Sequence, residues 1–394
     1  MNSRSILFAV FDLSDTNYMK MPWALFMKTL PVIAERMPNV RIYVLTDTKD
    51  CVVVKKLIER ENLKLIPISK SILRYPYKGL LGTLKSLCEK LGIDTLVVLS
   101  GWNLHIWYNI VDKLKINSLI LIVLTPVYRV NELLKMSLDY FISLSKYGES
   151  KDIVYLIKLI FENLMVRLFL RVVKPLDRLM VVVASESCKE LFQRHGFKPF
   201  KISLKLKFDV VRNHVSSDQY GGTPSIAYFG PPIIARGYDI VVELAKTSQN
   251  IDFVLYLREP PSIIAKERIA RENIRNLKTI FKFFRSIEEL VAEARKHHLI
   301  LLPFRFVVSD FPLVLVEVLC SGRLIVTTQY SHADVVKASN LITLDLTQVR
   351  NPNIVKRLAE KRIKISMDPC YIDWEFVADE LIKFLVYGTQ CPTR

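Results

Sequence analysis

Two consecutive α/β domains of the Rossmann type, facing each other across a cleft, are predicted by three observations. The chain has 394 residues, short β-branched and aliphatic runs alternate with longer stretches of helical period, and a polar, glycine-containing break divides the series in two. That length exceeds what one hydrophobic core usually serves. Hydrophobic residues make up 51% and charged residues 24%, which fits compact domains and excludes a disordered chain.

The first apolar run, Ile6–Leu13, is interrupted by Asp12 and followed by no small-residue cleavage site, so it reads as a strand and not a signal peptide. First-half strands are expected at Ser5–Phe11, Arg41–Leu45, Thr95–Leu99, Leu119–Leu124 and Leu179–Ala184. Amphipathic helices are expected at Trp23–Arg36, Val52–Glu61 and Lys78–Lys90. Ser216–Gly222 reads as the linker. The second series has strands at Ser225–Phe229, Asp252–Leu257, Lys278–Lys282, Leu299–Leu302 and Leu324–Thr327, and helices at Tyr238–Lys246, Ile287–Lys296 and Pro312–Leu319. The predicted organisation is a domain over 1–215, a second over 223–370, and a helical tail over 371–394 that closes the second domain or crosses back to the first. Ligands in such sheets sit at the carboxyl ends of the strands.

The net charge of +17 predicts an anionic partner: nucleic acid, an acidic membrane surface or a phosphate-bearing ligand. No zinc-finger spacing, basic zipper or RNP-like motif is present, which argues against nucleic acid. The six cysteines are scattered, with no C-x-x-C pair and no metal-ligand spacing; they read as small buried hydrophobes in a reducing, cytoplasmic setting. Asp152–Val173 is strongly apolar, but Lys158, Glu162, Arg167 and Arg171 are too costly inside a bilayer. Packing on the first domain is the favoured reading. The alternative docks this helix on the inner face of a membrane, with Lys174, Arg178, Lys198, Lys201, Lys205 and Lys207 meeting anionic lipid.

Two stretches of the second half carry a family likeness. Ile226–Asp239 reads as a strand, the turn Gly230-Pro231-Pro232, then Arg236-Gly237 opening a helix. Ile300–Arg305 is a strand ending in Leu-Pro, followed by Ser309-Asp310-Phe311 and a helix that carries Glu317 before Cys320-Ser321-Gly322. In this order they resemble glycosyltransferase family four, of GT-B architecture. Asp177–Ser187 adds a similar strand-then-serine junction in the first half. The sequence departs from the family's pattern at four points: Ser309 stands where the family has the first acid of its E-x7-E pair, Pro231 replaces a basic residue, Arg258-Glu259-Pro260 replaces a glycine-rich loop, and Asp12 to Met21 follow the first strand without the family's Gly-Gly turn.

The resemblance implies a retaining, metal-independent transfer from a nucleotide sugar, which is a substrate and not a cofactor. The second domain would hold the donor, and the first a glycan or lipid-linked acceptor. It places Arg236 at the donor diphosphate, where a planar guanidinium suits the leaving group. Gly230 and Gly237 let the backbone approach. Ser309 and Asp310, beside Phe311, can cap the next helix, and N–H groups near Leu313 and Val314 would point at phosphate oxygens. Glu317 would accept from the ribose hydroxyls, and its apolar neighbours argue against a plain solvated face. Arg258 and Arg305, at strand ends, read as structural or electrostatic before catalytic. For Asp310 a simple N-cap is favoured. On the acceptor side, Trp102, Asn103 and His105 follow a strand end; a lone histidine is more often structural, with a catalytic base as the alternative. Two other readings stand beside this one: a sugar-nucleotide epimerase, and a GT-B protein that binds a glycan, lipid or partner without catalysis.

Overall fold

The computed structural model describes residues 4–10, 23–46, 52–69, 78–100, 104–114, 116–208, 216–217, 222–258, 267, 270, 273–307, 312–361, 363–364 and 370–387. The chain begins β1 (Ser5–Ala9), α1 (Trp23–Arg36), β2 (Arg41–Thr46), α2 (Val52–Ile58), β3 (Leu63–Pro67), α3 (Lys78–Leu91), β4 (Thr95–Ser100), α4 (Leu104–Lys113) and β5 (Ser118–Val123). It continues α5 (Val130–Tyr147), α6 (Ser150–Val172), β6 (Leu179–Val183), α7 (Glu186–Arg194), β7 (Phe200–Lys201), β8 (Leu206–Phe208) and β9 (Ser216–Ser217). A second series follows: β10 (Ser225–Gly230), α8 (Tyr238–Thr247), β11 (Asp252–Leu257), β12 (Leu277–Phe281), α9 (Ile287–Ala294), β13 (Leu299–Leu302), α10 (Leu313–Leu319) and β14 (Leu324–Thr328). Last come β15 (Leu341–Leu344), α11 (Leu346–Val349), α12 (Pro352–Glu360), β16 (Ile363–Lys364), β17 (Cys370–Ile372) and α13 (Trp374–Tyr387).

These elements form two compact units. The first draws on Met1–Val127, Phe161–Leu204 and Asp373–Arg394, the second on Tyr128–Ile160 and Lys205–Ile372. In the first, seven parallel strands lie in the order β3-β2-β1-β4-β5-β6-β7. The central strands are continuous aliphatic runs; Ser118-Leu-Ile-Leu-Ile-Val123 is buried at every position, as a sheet covered on both faces requires. Ser185 caps α7 by accepting from the Cys188 N–H at 3.3 Å, so the strand-then-serine junction forms as expected. The tail helix α13 packs on α1, where Arg36 pairs with Asp379 and Glu375, and Phe384 lies against Phe200 with ring centroids 4.7 Å apart.

The second unit holds six parallel strands in the order β12-β11-β10-β13-β14-β15. The strand order reverses between β10 and β13, which makes their carboxyl ends the switch point of the sheet. Both edge strands, β12 and β15, are only half-covered.

Continuous domains over 1–215 and 223–370 do not describe this division. Tyr128–Ile160 clusters with the second sheet, and the changeover further along falls after Leu204. The cause is a set of buried polar bonds. Arg305, fully buried after β13, donates from Nε to Asp139 at 2.6 Å and from Nη2 to the Ser143 hydroxyl at 2.6 Å, both on α5. Its remaining N–H groups reach Asp239 at 2.7 Å twice and the Ile234 carbonyl at 2.8 Å. Asp152, at the start of α6, accepts from the Ile234 N–H at 3.0 Å. These bonds can be satisfied only if α5 and the start of α6 pack on the second sheet.

The cysteines need a second correction. Cys320 and Cys370, 50 residues apart, are disulfide-bonded with Cα atoms 5.2 Å apart, so the expectation of reduced thiols throughout fails at this pair. Sequence spacing hides it, because β17 reaches the end of α10 through its antiparallel pairing with β8. Cys88 and Cys188 are free thiols; Cys51 and Cys391 lie outside the described residues.

Two outcomes follow from this packing. Replacing Arg305 by Met leaves buried Asp239 without its cation and Asp139 with Arg350 alone, and should destabilise the protein by about 3–5 kcal/mol in denaturant unfolding. His297 is buried with Nε2 3.1 Å from the Tyr256 hydroxyl, and burial pushes its pKa from the ordinary 6.5 down to about 4. A base with a depressed folded pKa contributes stability present above the unfolded pKa and lost on acidification. Thermal stability should therefore fall between about pH 6.5 and pH 4, with a shallower slope in His297→Gln.

Candidate functional site

The turn leaving β10 builds the site. Gly230 ends the strand, and a Cβ there would stand 2.7 Å from the Tyr228 hydroxyl, which itself donates to the Pro231 carbonyl at 2.9 Å. A 3-10 turn, Ile234–Arg236, follows and stops at Gly237, whose φ of 77° lies in the left-handed region. A Cβ on Gly237 would fall 2.0 Å from the Pro303 carbonyl oxygen, so only glycine lets this turn lie on the segment after β13. The Arg305 N–H donates to the Ala235 carbonyl at 2.9 Å and locks the two segments together.

Arg236 lies at this junction with its guanidinium 4.9 Å from the centre of the Phe304 ring. The residue is half-buried, but its Nε and Nη1 are enclosed and have no hydrogen-bond partner among the described residues. Burial lowers its pKa from the ordinary arginine value; the nearby Tyr228, Tyr128 and Tyr155 phenols oppose that shift and Arg258 adds to it. An enclosed cation with unused donors is costly unless an anion completes it.

Arg258 ends β11. Its N–H donates to the Gly230 carbonyl at 3.3 Å, and its guanidinium lies 5.3 Å from the Phe283 ring centre. Glu317, half-buried on α10, has its pKa raised by burial, with Arg258 pulling it back. Arg258 thus acts electrostatically on both Arg236 and Glu317, and the three charges belong to one neighbourhood of the second unit. Leu313 and Val314 form the first turn of α10, after Pro312 as its N-cap. Ser309, Asp310 and Phe311 lie outside the described residues.

For Arg305 the geometry fits the structural reading and not a donor contact: all five N–H groups are engaged by Asp139, Asp239, Ser143 and the Ile234 carbonyl, and none is left for a phosphate. On the acceptor side, His105 is the second residue of α4, in the first unit, and its side chain lies outside the described set together with Trp102 and Asn103.

The structure adds residues that sequence reasoning missed. Tyr128 accepts at its hydroxyl from the Val307 N–H at 2.9 Å and donates to the Tyr330 carbonyl at 3.1 Å. Its ring lies 4.8 Å from that of His332, a non-glycine residue with φ at 51°. Nothing in the sequence pattern links Tyr128 to a strand end more than a hundred residues later. Among the described residues, no group of three or more His, Cys, Asp or Glu is placed to hold a metal ion.

The strand order and the turn at Arg236 can be set against solved structures. A glycosyltransferase from Rickettsia africae matches with a TM-score of 0.58 and 11% identity over 100% of each chain. HepE of Anabaena, solved with UDP-glucose, matches with 0.52 and 14% over 98% of this chain and 97% of that one. A UDP-forming α,α-trehalose-phosphate synthase from Burkholderia xenovorans matches with 0.55 and 10% over 98% and 96%. The fold is of the GT-B type. No protein-family model matches the chain, and no curated protein does. Within a GT-B chain, the turn after β10 and the start of α10 belong to the carboxyl-terminal sheet, where the position of Arg236 is set by Gly237.

Gly237→Ala tests that dependence. The substitution strains a left-handed residue and drives a methyl group into the Pro303 carbonyl. It should cost more than about 1 kcal/mol in unfolding free energy, and should shift the near-UV signal of the aromatic residues around Arg236.

Proposed function

We propose that this chain is a glycosyltransferase that takes a sugar from a nucleoside diphosphate donor held by its second unit. The observation that carries the reading is Arg236, with two enclosed guanidinium nitrogens that lack a hydrogen-bond partner, at the switch point of a parallel sheet. When the bond between the anomeric carbon and the phosphate oxygen breaks, negative charge grows on the departing diphosphate. A cation already desolvated against Phe304 stabilises that charge more strongly than one in water. Arg258, close enough to influence both Arg236 and Glu317, adds positive potential, and Glu317 accepts from the ribose hydroxyls. Gly230 and Gly237 hold the backbone close to the phosphates.

The resemblance to family four adds a retaining course and independence from metal, with protein charge in the place of a cation. UDP is the first nucleotide to test, because HepE was solved with UDP-glucose and the Burkholderia synthase is UDP-forming. The acceptor is a glycan or a lipid-linked sugar, received beside Trp102, Asn103 and His105 after β4, with His105 the candidate base. Ser309, in the place of the family's acid, supports a second reading, a GT-B protein that binds without turnover.

Calorimetry and thermal shift against UDP, GDP, ADP and their sugar conjugates test the proposal, since a ligand that binds only the folded state raises apparent stability. One nucleotide should bind, and Arg236→Ala and Glu317→Ala should each weaken it roughly tenfold or more, the scale of a lost charge-assisted hydrogen bond. Ser309→Ala should change little. Equal affinity in all three variants would overturn the site. Binding without hydrolysis or transfer of the sugar would favour the non-catalytic reading.

A further inference from the structure

Consecutive helices α5 and α6 each bury one face and leave a row of large apolar side chains uncovered on the other. On α5 the buried face is Met136, Tyr140, Ser143 and Tyr147, while Leu134, Leu138, Phe141 and Ile142 on the opposite side are more than half exposed. On α6 the buried side includes Leu156, Leu159, Asn163 and Val166. On its other side, within the second unit, Val154 and Ile157 are more than half exposed. Scattered exposed leucines are ordinary, but two helices with continuous apolar rows are not.

The charges on these helices are sorted. Between Arg129 and Ile160 the exposed charged residues are all basic: Arg129, Lys135, Lys146 and Lys158. The acids are drawn inward. Glu132 accepts from the Arg129 N–H at 2.8 Å, Asp139 is held by Arg305 and Arg350, Asp152 is buried and Glu149 is paired with Lys151. Glu162 is half-buried.

We infer that this helical pair docks on the surface of an anionic lipid bilayer. Apolar rows fringed by exposed cations match a headgroup layer that is negative above and hydrocarbon below. A second copy of the chain fits poorly, because a symmetric contact through this face would bring the same lysines together. Spanning is also excluded for these helices, since no helix among the described residues is long and apolar enough to cross a membrane. Docking here is independent of the donor chemistry at Arg236, so either can fail without the other.

Co-sedimentation of the full chain with vesicles separates the outcomes. Vesicles of phosphatidylcholine with added phosphatidylglycerol should pellet the protein, and vesicles of phosphatidylcholine alone should not. The double variant Leu138→Ser, Phe141→Ser should lose pelleting while its melting temperature is unchanged, since both side chains are exposed. Lys135→Glu with Lys146→Glu, which alters charge and leaves the apolar rows intact, should lower partitioning by roughly tenfold or more. The inference is overturned if anionic vesicles fail to pellet the protein, if the serine pair pellets as well as the parent, or if that pair instead abolishes a concentration-dependent dimer.

Discussion

The second unit depends on one buried guanidinium. Arg305 leaves water completely, a loss that only full pairing offsets. Its five N–H groups reach two carboxylates, a hydroxyl and a carbonyl, drawn from α5, α8 and the turn after β10. Asp139 also takes a bond from Arg350, next to α11, so the network reaches the far edge of the unit. Because Asp139 and Ser143 lie well over a hundred residues before Arg305, the chain must return to complete it. That requirement, more than any linker composition, decides which residues belong together.

Arg236, in the adjoining turn, obeys the opposite condition. One guanidinium is saturated, and the other retains two enclosed nitrogens without hydrogen-bond partners among the described residues. Each unmet buried donor costs about 1–3 kcal/mol. Rigid support and unmet valence are placed side by side. Arg305 fixes the backbone at Ala235, and the next residue is Arg236.

How much of this was legible in the sequence depended on the range of the interactions. Asp252–Leu257 and Leu299–Leu302 match the structure at both ends, because a buried parallel strand is a near-continuous apolar run. β3 and β15 escaped: they are edge strands with one face half-covered, and Lys64 and Thr343 break the apolar run. Arg236 and Arg305 look alike in sequence, each a basic residue after a strand, and only the positions of distant acids separate them. Tyr128 and the Cys320–Cys370 pair were invisible for the same reason.

The tail helix has a consequence for the order in which the protein is made. Because α13 packs on α1 in the first unit, α1 leaves the ribosome well before the helix that covers it. The chain passes between units after Val127, Ile160, Leu204 and Ile372. Until α13 emerges, the apolar side of α1 that it will cover stays open, and the first unit exists only as an unfinished intermediate while the whole second unit is being synthesised. Such a chain trades early, piecewise maturation during translation for a single late completion step.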